Sequence, residues 1–136
     1  MDEMTIKEKL RSLFKLQKVD ERIREYVRKT QVIIIAGGLG TRLRHRTGDS
    51  IPKPLLKIGE KTLLDICIER FMRSGFKDYV LLLGHLADRI KKHVEASPYK
   101  GEINVEYSIE SKLLGKAGAL KFAIENGAID RKRPGI

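Results

Sequence analysis

Glycines and basic residues follow directly on a short apolar segment. The stretch IIIAGGLGTRLRHRTGDSIPKPL places Gly37, Gly38 and Gly40 just before Arg42, and Lys53 follows between two prolines. Glycine removes side chains where backbone amides approach an anion closely. Arginine can donate two parallel hydrogen bonds to phosphate oxygens, and lysine supplies a compact positive charge. These residue types in this order predict a phosphate-binding loop.

Two common nucleotide-binding loops do not fit this stretch. The dinucleotide fingerprint needs a third glycine where the chain has Leu43. A Walker A loop needs Ser or Thr after Gly-Lys, but the GKA segment has Ala117 in that position. The loop therefore belongs to another class of phosphate-binding segment.

Composition limits the class of partner. The chain has 136 residues, enough for one domain, and 28 Lys and Arg against 18 Asp and Glu give a formal charge of +10, which favours an anionic partner. With Cys67 as the one cysteine, neither an intramolecular disulfide nor a cysteine-based zinc site is possible. Eight scattered aromatic residues form no stacking platform, so nucleic acid is an unlikely partner. No signal-type or membrane-spanning segment is apparent, which predicts a cytoplasmic location.

Hydrophobic periodicity divides the chain into a leading helix (1–30) and a domain portion (31–136). An amphipathic helix is expected over 5–29, packed on the domain or on a second subunit rather than on a membrane. Continuous or alternating apolar runs predict three strands, 31–36, 79–84 and 103–109. Helical spacing and capping residues predict three further helices, within 62–75, 85–96 and 116–127.

The alternation of strands and helices predicts an α/β domain with a parallel sheet. The strand at 31–36 should lie inside that sheet, covered on both faces, and the strand at 103–109 nearer an edge. Ligands bind beyond the carboxyl ends of such strands, where the glycine segment lies. The pattern calls for a fourth strand after RKRPGI. We therefore expect an open sheet edge, covered by the leading helix or by a second copy of the chain.

The stretch AGGLGTRLRHRTGDSIPKPLLKIGEKTLLD resembles the N-terminal motif of the sugar-phosphate nucleotidylyltransferases, G-G-x-G-T-R-L followed by P-K. The similarity continues through VLLLGHLADRIKKHV and INVEYSIESKLLGKAGAL, and covers roughly residues 31–127. The latter segment is especially similar to members that activate hexose or heptose 1-phosphates. The resemblance implies a Rossmann-like, three-layer parallel sheet of the nucleotide-diphospho-sugar transferase type, truncated and carrying an extra N-terminal amphipathic helix.

The resemblance also implies an activity. A sugar 1-phosphate would attack the α-phosphorus of a nucleoside triphosphate, giving a nucleoside-diphosphate sugar and pyrophosphate. Arg42 and Lys53 would be the catalytic groups, acting on the triphosphate and the α-phosphate respectively. The nucleotide would be bound by residues of the glycine loop and of the later LLGKAGAL segment, namely Ala36, Gly37, Gly38, Gly40, Thr41, Glu110, Gly115 and Gly118. Glu110 could equally be an ordinary solvated carboxylate.

The chain departs from the family pattern in two respects. Lys116 stands where Thr is usual, beside the expected nucleotide site. The family holds Mg²⁺ with two aspartates that would follow Ile136, so Mg²⁺ is the implied cofactor but its ligands are not in this chain. Two interpretations remain open. One is an incomplete or split nucleotidylyltransferase, assisted by a complementing chain or by oligomerisation. The other is a non-catalytic module that binds a nucleotide or sugar phosphate.

Overall fold

The computed structural model describes residues 3–39 and 50–136. Its longer helices are α1 (Glu3–Lys29), α2 (Leu63–Arg73), α3 (Ala87–Glu95) and α4 (Gly115–Glu125). Its strands are β1 (Gln31–Ile35), β2 (Lys57–Ile58), β3 (Lys61–Thr62), β4 (Asp78–Leu83) and β5 (Asn104–Ile109). Short 3₁₀ turns cover Lys53–Leu55 and Lys100–Glu102. The four helices and the three longer strands match the predicted ones to within a few residues at each end, whereas β2, β3 and the 3₁₀ turns were not predicted.

The three long strands form one parallel sheet in the order β1-β4-β5. Gln31 lies opposite Asp78, and Asp78 lies opposite Asn104, so the three strands begin at the same level. The predicted α/β class with a parallel sheet is confirmed. The strand β5 pairs with β4 alone among the described strands, which agrees with its predicted edge position.

Helices cover both faces of this sheet. Leu81 and Leu83 of the central strand pack in one buried cluster with side chains of α2 and α3, including Ile68 and Ile90. Residues of the same strand that point the other way, Val80 and Leu82, pack with Ala119 and Ala123 of α4. A sheet with helices on either side is the expected three-layer arrangement.

The strand β1 is enclosed only at its start. Val32 is buried, whereas Ile35 is 43% exposed, so the prediction of full burial holds only for the first residues.

The segment from Pro134 to Ile136 lies beside this strand. The Gln31 N–H donates to the Pro134 carbonyl (2.9 Å), the Ile136 N–H to the Gln31 carbonyl (3.0 Å), and the Ile33 N–H to the Ile136 carbonyl (2.9 Å). This segment forms a single bridge, between Gly135 and Gln31, and not a fourth strand, so it covers the edge of the sheet only at these first residues of β1.

The start of α2 is held by a capping box. The Thr62 hydroxyl accepts from the Asp65 N–H, and the Asp65 carboxylate accepts from the Thr62 N–H, each at 3.1 Å. Asp65 also lies 2.8 Å from His93 Nε2 and accepts from the Tyr99 hydroxyl at 2.7 Å. Burial alone would raise the pKa of Asp65, but hydrogen bonds from Thr62, Tyr99 and His93 outweigh it and hold that pKa below its ordinary value. The predicted capping role of Asp65 is confirmed.

Most of α1 is not covered by the other residues that the structure describes. Six of its large apolar side chains, at positions 6, 10, 13, 14, 23 and 26, are between 43% and 64% exposed. The expectation that this helix packs on its own domain is therefore wrong for these side chains. In the part of the chain that the structure describes, no helix is both long and apolar enough to cross a bilayer.

Candidate functional site

The carboxyl ends of β1 and β4 meet closely at two glycines. The Ala36 N–H donates to the Leu82 carbonyl at 2.8 Å, so the ladder between the strands continues one residue beyond β1. A Cβ added at Gly37 would lie 3.2 Å from both the Gly84 nitrogen and the Leu83 carbonyl carbon. A side chain at position 37 would press on backbone, which explains why the chain has glycine there.

The side chain of Glu110 lies against this glycine pair. Glu110 directly follows β5, and its backbone N–H donates to the Leu83 carbonyl at 2.9 Å. A Cβ at Gly84 would lie 3.2 Å from Glu110 Cγ and 3.3 Å from Oε1, and a Cβ at Gly37 would lie 3.4 Å from Oε1. Three strand ends thus bring two glycines and one carboxylate together at the edge where ligands bind in parallel sheets.

One oxygen of this carboxylate is buried without a hydrogen-bond partner. Within residues 3–39 and 50–136, Glu110 Oε2 is a buried side-chain atom that no donor contacts. A buried carboxylate oxygen left unpaired costs free energy, and polar groups in this state need a specific explanation. Any donor for this oxygen comes from outside the described residues, either from the remaining part of the chain or from a ligand.

The structure leaves the backbone after Gly37 open. Gly38 is exposed, and a Cβ added there would meet nothing within 4 Å. The predicted site residues Gly40, Thr41 and Arg42 lie outside the described residues, and so does the predicted phosphate contact of Arg42. Their roles stay predictions.

Lys53 begins a short 3₁₀ turn that follows Pro52. The proline is buried and has an extended backbone (φ −67°, ψ 142°), whereas the Lys53 side chain is exposed. The turn is closed by the Leu56 N–H, which donates to the Lys53 carbonyl at 3.0 Å. Fixed backbone and exposed ammonium are compatible with a contact to phosphate, but the described residues do not connect Lys53 to the glycine pair.

Gly115 and Gly118 both have a local reason to be glycine. Gly115 is the first residue of α4 and has a left-handed φ of +72°. A Cβ at Gly118 would lie only 2.6 Å from the Leu114 Cβ, so the start of the helix excludes a side chain there. Lys116 between them is exposed. Backbone conformation accounts for Gly115 and the contact with the Leu114 side chain accounts for Gly118, and their contact with nucleotide stays a prediction.

Sequence reasoning missed two residues of this region. Gly84 was assigned to the second strand but not to the site, although a glycine directly after a buried strand is the same signal that identified Gly37. Leu86 has a left-handed φ of +56°, an uncommon conformation for a branched side chain. Nothing in the sequence indicates that conformation.

The described residues do not form a metal site. Within 3–39 and 50–136 there is no cluster of three or more His, Cys, Asp or Glu side chains that could hold an ion. Glu110 stands alone at the strand ends. The residues described thus do not fit the Mg²⁺ that the family resemblance implies.

A model of the nucleotidyl transferase family matches residues 31–132. That range includes the strand-end site and all of the sheet, so the chain belongs to the nucleotidyl transferase family. Its fold is confirmed as Rossmann-like by solved structures, among them a UDP-glucose pyrophosphorylase complexed with UDP-glucose, with a TM-score of 0.62 at 18% identity over 71% of this chain and 41% of that chain.

The similar proteins include guanylyltransferases of sugar phosphates. The D-glycero-α-D-manno-heptose 1-phosphate guanylyltransferase of Campylobacter jejuni is 38% identical over 95 residues, covering 70% of this chain and 42% of that protein. A mannose-1-phosphate guanyltransferase of Neurospora crassa is 38% identical over 93 residues, covering 68% of this chain and 25% of that protein. The structure of HddC from Yersinia pseudotuberculosis complexed with GMP-PN has a TM-score of 0.62 and 38% identity over 71% of this chain and 42% of that chain. The chain thus spans at most about two fifths of the length of these proteins.

Proposed function

We propose that the chain binds GTP as the nucleotide-binding portion of a sugar-1-phosphate guanylyltransferase. The reaction would join the nucleotide to a sugar 1-phosphate of the hexose or heptose class and release pyrophosphate. The observation that carries the proposal is the Glu110 carboxylate, which lies beside Gly37 and Gly84 and has one buried oxygen, Oε2, with no donor among the described residues. Family membership and the printed activities of the similar guanylyltransferases support it.

The chemistry of the bases explains why this carboxylate favours guanine. The Watson–Crick edge of guanine carries two neighbouring donors, N1–H and the N2 amino group, which can donate to the two oxygens of one carboxylate. Adenine presents an amino donor beside the N1 lone pair, and that lone pair would face a carboxylate oxygen unfavourably. A site built around donors on its ligand rejects an analogue that lacks them, because its own polar group then stays buried and unpaired.

The position of the base would place the phosphates over the glycine segment. With guanine at Glu110, the triphosphate would extend across the buried Gly37 and the open Gly38, whose backbones carry no side chain to block it. We propose that Gly40, Thr41 and Arg42 continue this contact and that Lys53 acts at the α-phosphate. The work of these groups would be positioning and charge stabilisation, which needs no covalent nucleophile.

The test compares nucleotide affinities by titration calorimetry. We expect GTP to bind at least about tenfold more tightly than ATP or UTP, and Glu110→Gln to weaken GTP by roughly 10- to 100-fold, as for one charge-assisted hydrogen bond. Glu106→Gln is the matched control, because Glu106 lies on β5 with an exposed side chain. Equal affinities for GTP and ATP, or a Glu110→Gln variant that binds GTP as the wild type does, would contradict the proposal.

A second measurement separates binding from catalysis. Pyrophosphate release from GTP, a sugar 1-phosphate and Mg²⁺ reports whether this chain turns over by itself. Since the described residues do not form a metal site, we expect nucleotide binding with little turnover. Sustained turnover would show that the chain is catalytically sufficient.

A further inference from the structure

The helix α1 presents a row of uncovered apolar side chains. Six large ones are between 43% and 64% exposed: Ile6, Leu10, Leu13, Phe14, Ile23 and Tyr26. Full burial of such a side chain contributes about 1.5–3 kcal/mol, so a row of this length on a soluble helix marks an interaction surface. We propose that this surface pairs in an antiparallel manner with α1 of a second copy of the chain.

The carboxyl end of α1 is fixed to the domain. The helix ends at Lys29 and β1 begins at Gln31, so a single residue, Thr30, joins them. The Thr30 hydroxyl donates to the Tyr26 carbonyl at 2.7 Å, and Arg133 Nε donates to the Lys29 carbonyl at 2.9 Å. The exposed part of α1 therefore extends from an anchored last turn, and at 1.5 Å per residue the whole helix is about 40 Å long.

This anchoring favours an antiparallel pair. Paired helices lie about 8–10 Å apart, whereas a domain of this size is roughly 30 Å across. A parallel pair would bring both domains to the same end of the two helices, where they compete for space. An antiparallel pair places them at opposite ends, separated by about the helix length.

The charges of α1 favour the same direction. Residues 3–18 carry five basic side chains and two acidic ones, whereas residues 19–29 carry four basic and three acidic ones, Asp20, Glu21 and Glu25. In a parallel pair the strongly basic half would face itself. In an antiparallel pair it faces the half that contains these three carboxylates, which reduces repulsion between the copies.

The apolar spacing fits a two-fold axis. Ile6, Leu13, Leu16 and Ile23 follow one heptad spacing, and the pairs Ile6–Ile23 and Leu13–Leu16 share a midpoint between positions 14 and 15. An antiparallel pair crossing there would place Ile6 opposite Ile23 of the partner subunit and Lys9 opposite Asp20 of the partner subunit, and each contact would occur twice. Such a self-complementary contact is what a two-fold dimer requires.

Light scattering on the full chain tests the pairing. We expect twice the chain mass for the wild type at tens of micromolar and the single-chain mass for Leu13→Glu, which introduces two charges into one interface. Leu13 is exposed in the single chain, so this change does not threaten folding. Lys18→Glu places a glutamate on the opposite side of the helix and should remain a dimer. A monomeric wild type, or equal dissociation of both variants, would overturn the proposal.

Disulfide trapping tests the direction. In a Cys67→Ala background, Ile6→Cys combined with Ile23→Cys should form an intermolecular disulfide, whereas Ile6→Cys alone should not. Cross-linking by Ile6→Cys alone would show a parallel pair and contradict the proposal. A wild type that stays monomeric but sediments with phosphatidylserine vesicles would assign the surface to an acidic membrane instead. None of these outcomes depends on whether the site binds GTP.

Discussion

Two partly buried carboxylates, Asp65 and Glu110, show how a structural side chain differs from a candidate ligand-binding one. Asp65 is surrounded by donors from Thr62, His93 and Tyr99, all from its own chain. Glu110 has one buried oxygen that no described donor contacts. Counting the donors around each carboxylate therefore distinguishes a structural carboxylate from a candidate ligand-binding one, although both residues are acidic.

The largest expected effect on stability is at Asp65. Asp65→Ala should lower the free energy of unfolding by about 2–4 kcal/mol, because three donors lose their acceptor at about 0.5–1.5 kcal/mol each. GTP affinity should be unchanged. Denaturant unfolding measures the loss, and Asp88→Ala, an exposed carboxylate in the first turn of α3, is the control with an effect below about 1 kcal/mol. In contrast, Glu110→Gln should weaken GTP binding but leave the free energy of unfolding within about 1 kcal/mol of the wild type. Comparable losses at both positions would remove the distinction.

The next effect separates two adjacent glycines. Gly37→Ala should cost about 1–3 kcal/mol and weaken GTP binding, since its Cβ would press on the backbone of Leu83 and Gly84. Gly38→Ala should cost less than about 0.5 kcal/mol, because its Cβ would enter open space. Thermal unfolding of the two variants measures the difference. Equal costs would show that the close approach of β1 and β4 does not require glycine.

The smallest effect is on acid stability. The pKa of Asp65 is lowered in the folded chain, whereas an Asp in the unfolded chain has a pKa of about 3.9. As the pH falls, the unfolded chain therefore binds more protons than the folded chain does. The stability that Asp65 contributes is present above the unfolded pKa and is lost as the pH falls through the folded one.

Asp65→Asn should therefore flatten the loss of stability below about pH 5, measured by denaturant unfolding at several pH values. Some slope should remain from Asp78, whose pKa burial alone would raise but hydrogen bonds from Asn104 and Arg133 lower. An unchanged profile in the variant would exclude Asp65 as a source of acid sensitivity.

Local signals in the sequence predicted most of the fold. Thr62 and Asp65 gave the start of α2 because a capping box is encoded by residues three apart. Gly75 and Gly127, with left-handed φ values of +93° and +81°, follow helix ends as predicted. Continuous apolar residues gave the buried central strand. Each of these features depends on residues that are close in sequence, so a single sequence is enough to predict it.

Features that depend on distant contacts were not predicted. The hydrogen bond between Ile136 and Gln31 joins residues that are far apart in the sequence. The exposure of the apolar side chains of α1 depends on where the rest of the domain lies. Resemblance to the family suggested Glu110 as a nucleotide contact. Its position against Gly37 and Gly84 and its buried, unpaired oxygen depend on how separate strand ends come together, which no local pattern encodes.

A crystal structure of the chain with a non-hydrolysable GTP analogue tests the central claim most directly. The account predicts the N1 and N2 donors of guanine within about 3 Å of the Glu110 carboxylate, and the phosphates over Gly37 and Gly38. A nucleotide bound elsewhere, with the Glu110 carboxylate still unpaired beside the two glycines, would contradict it.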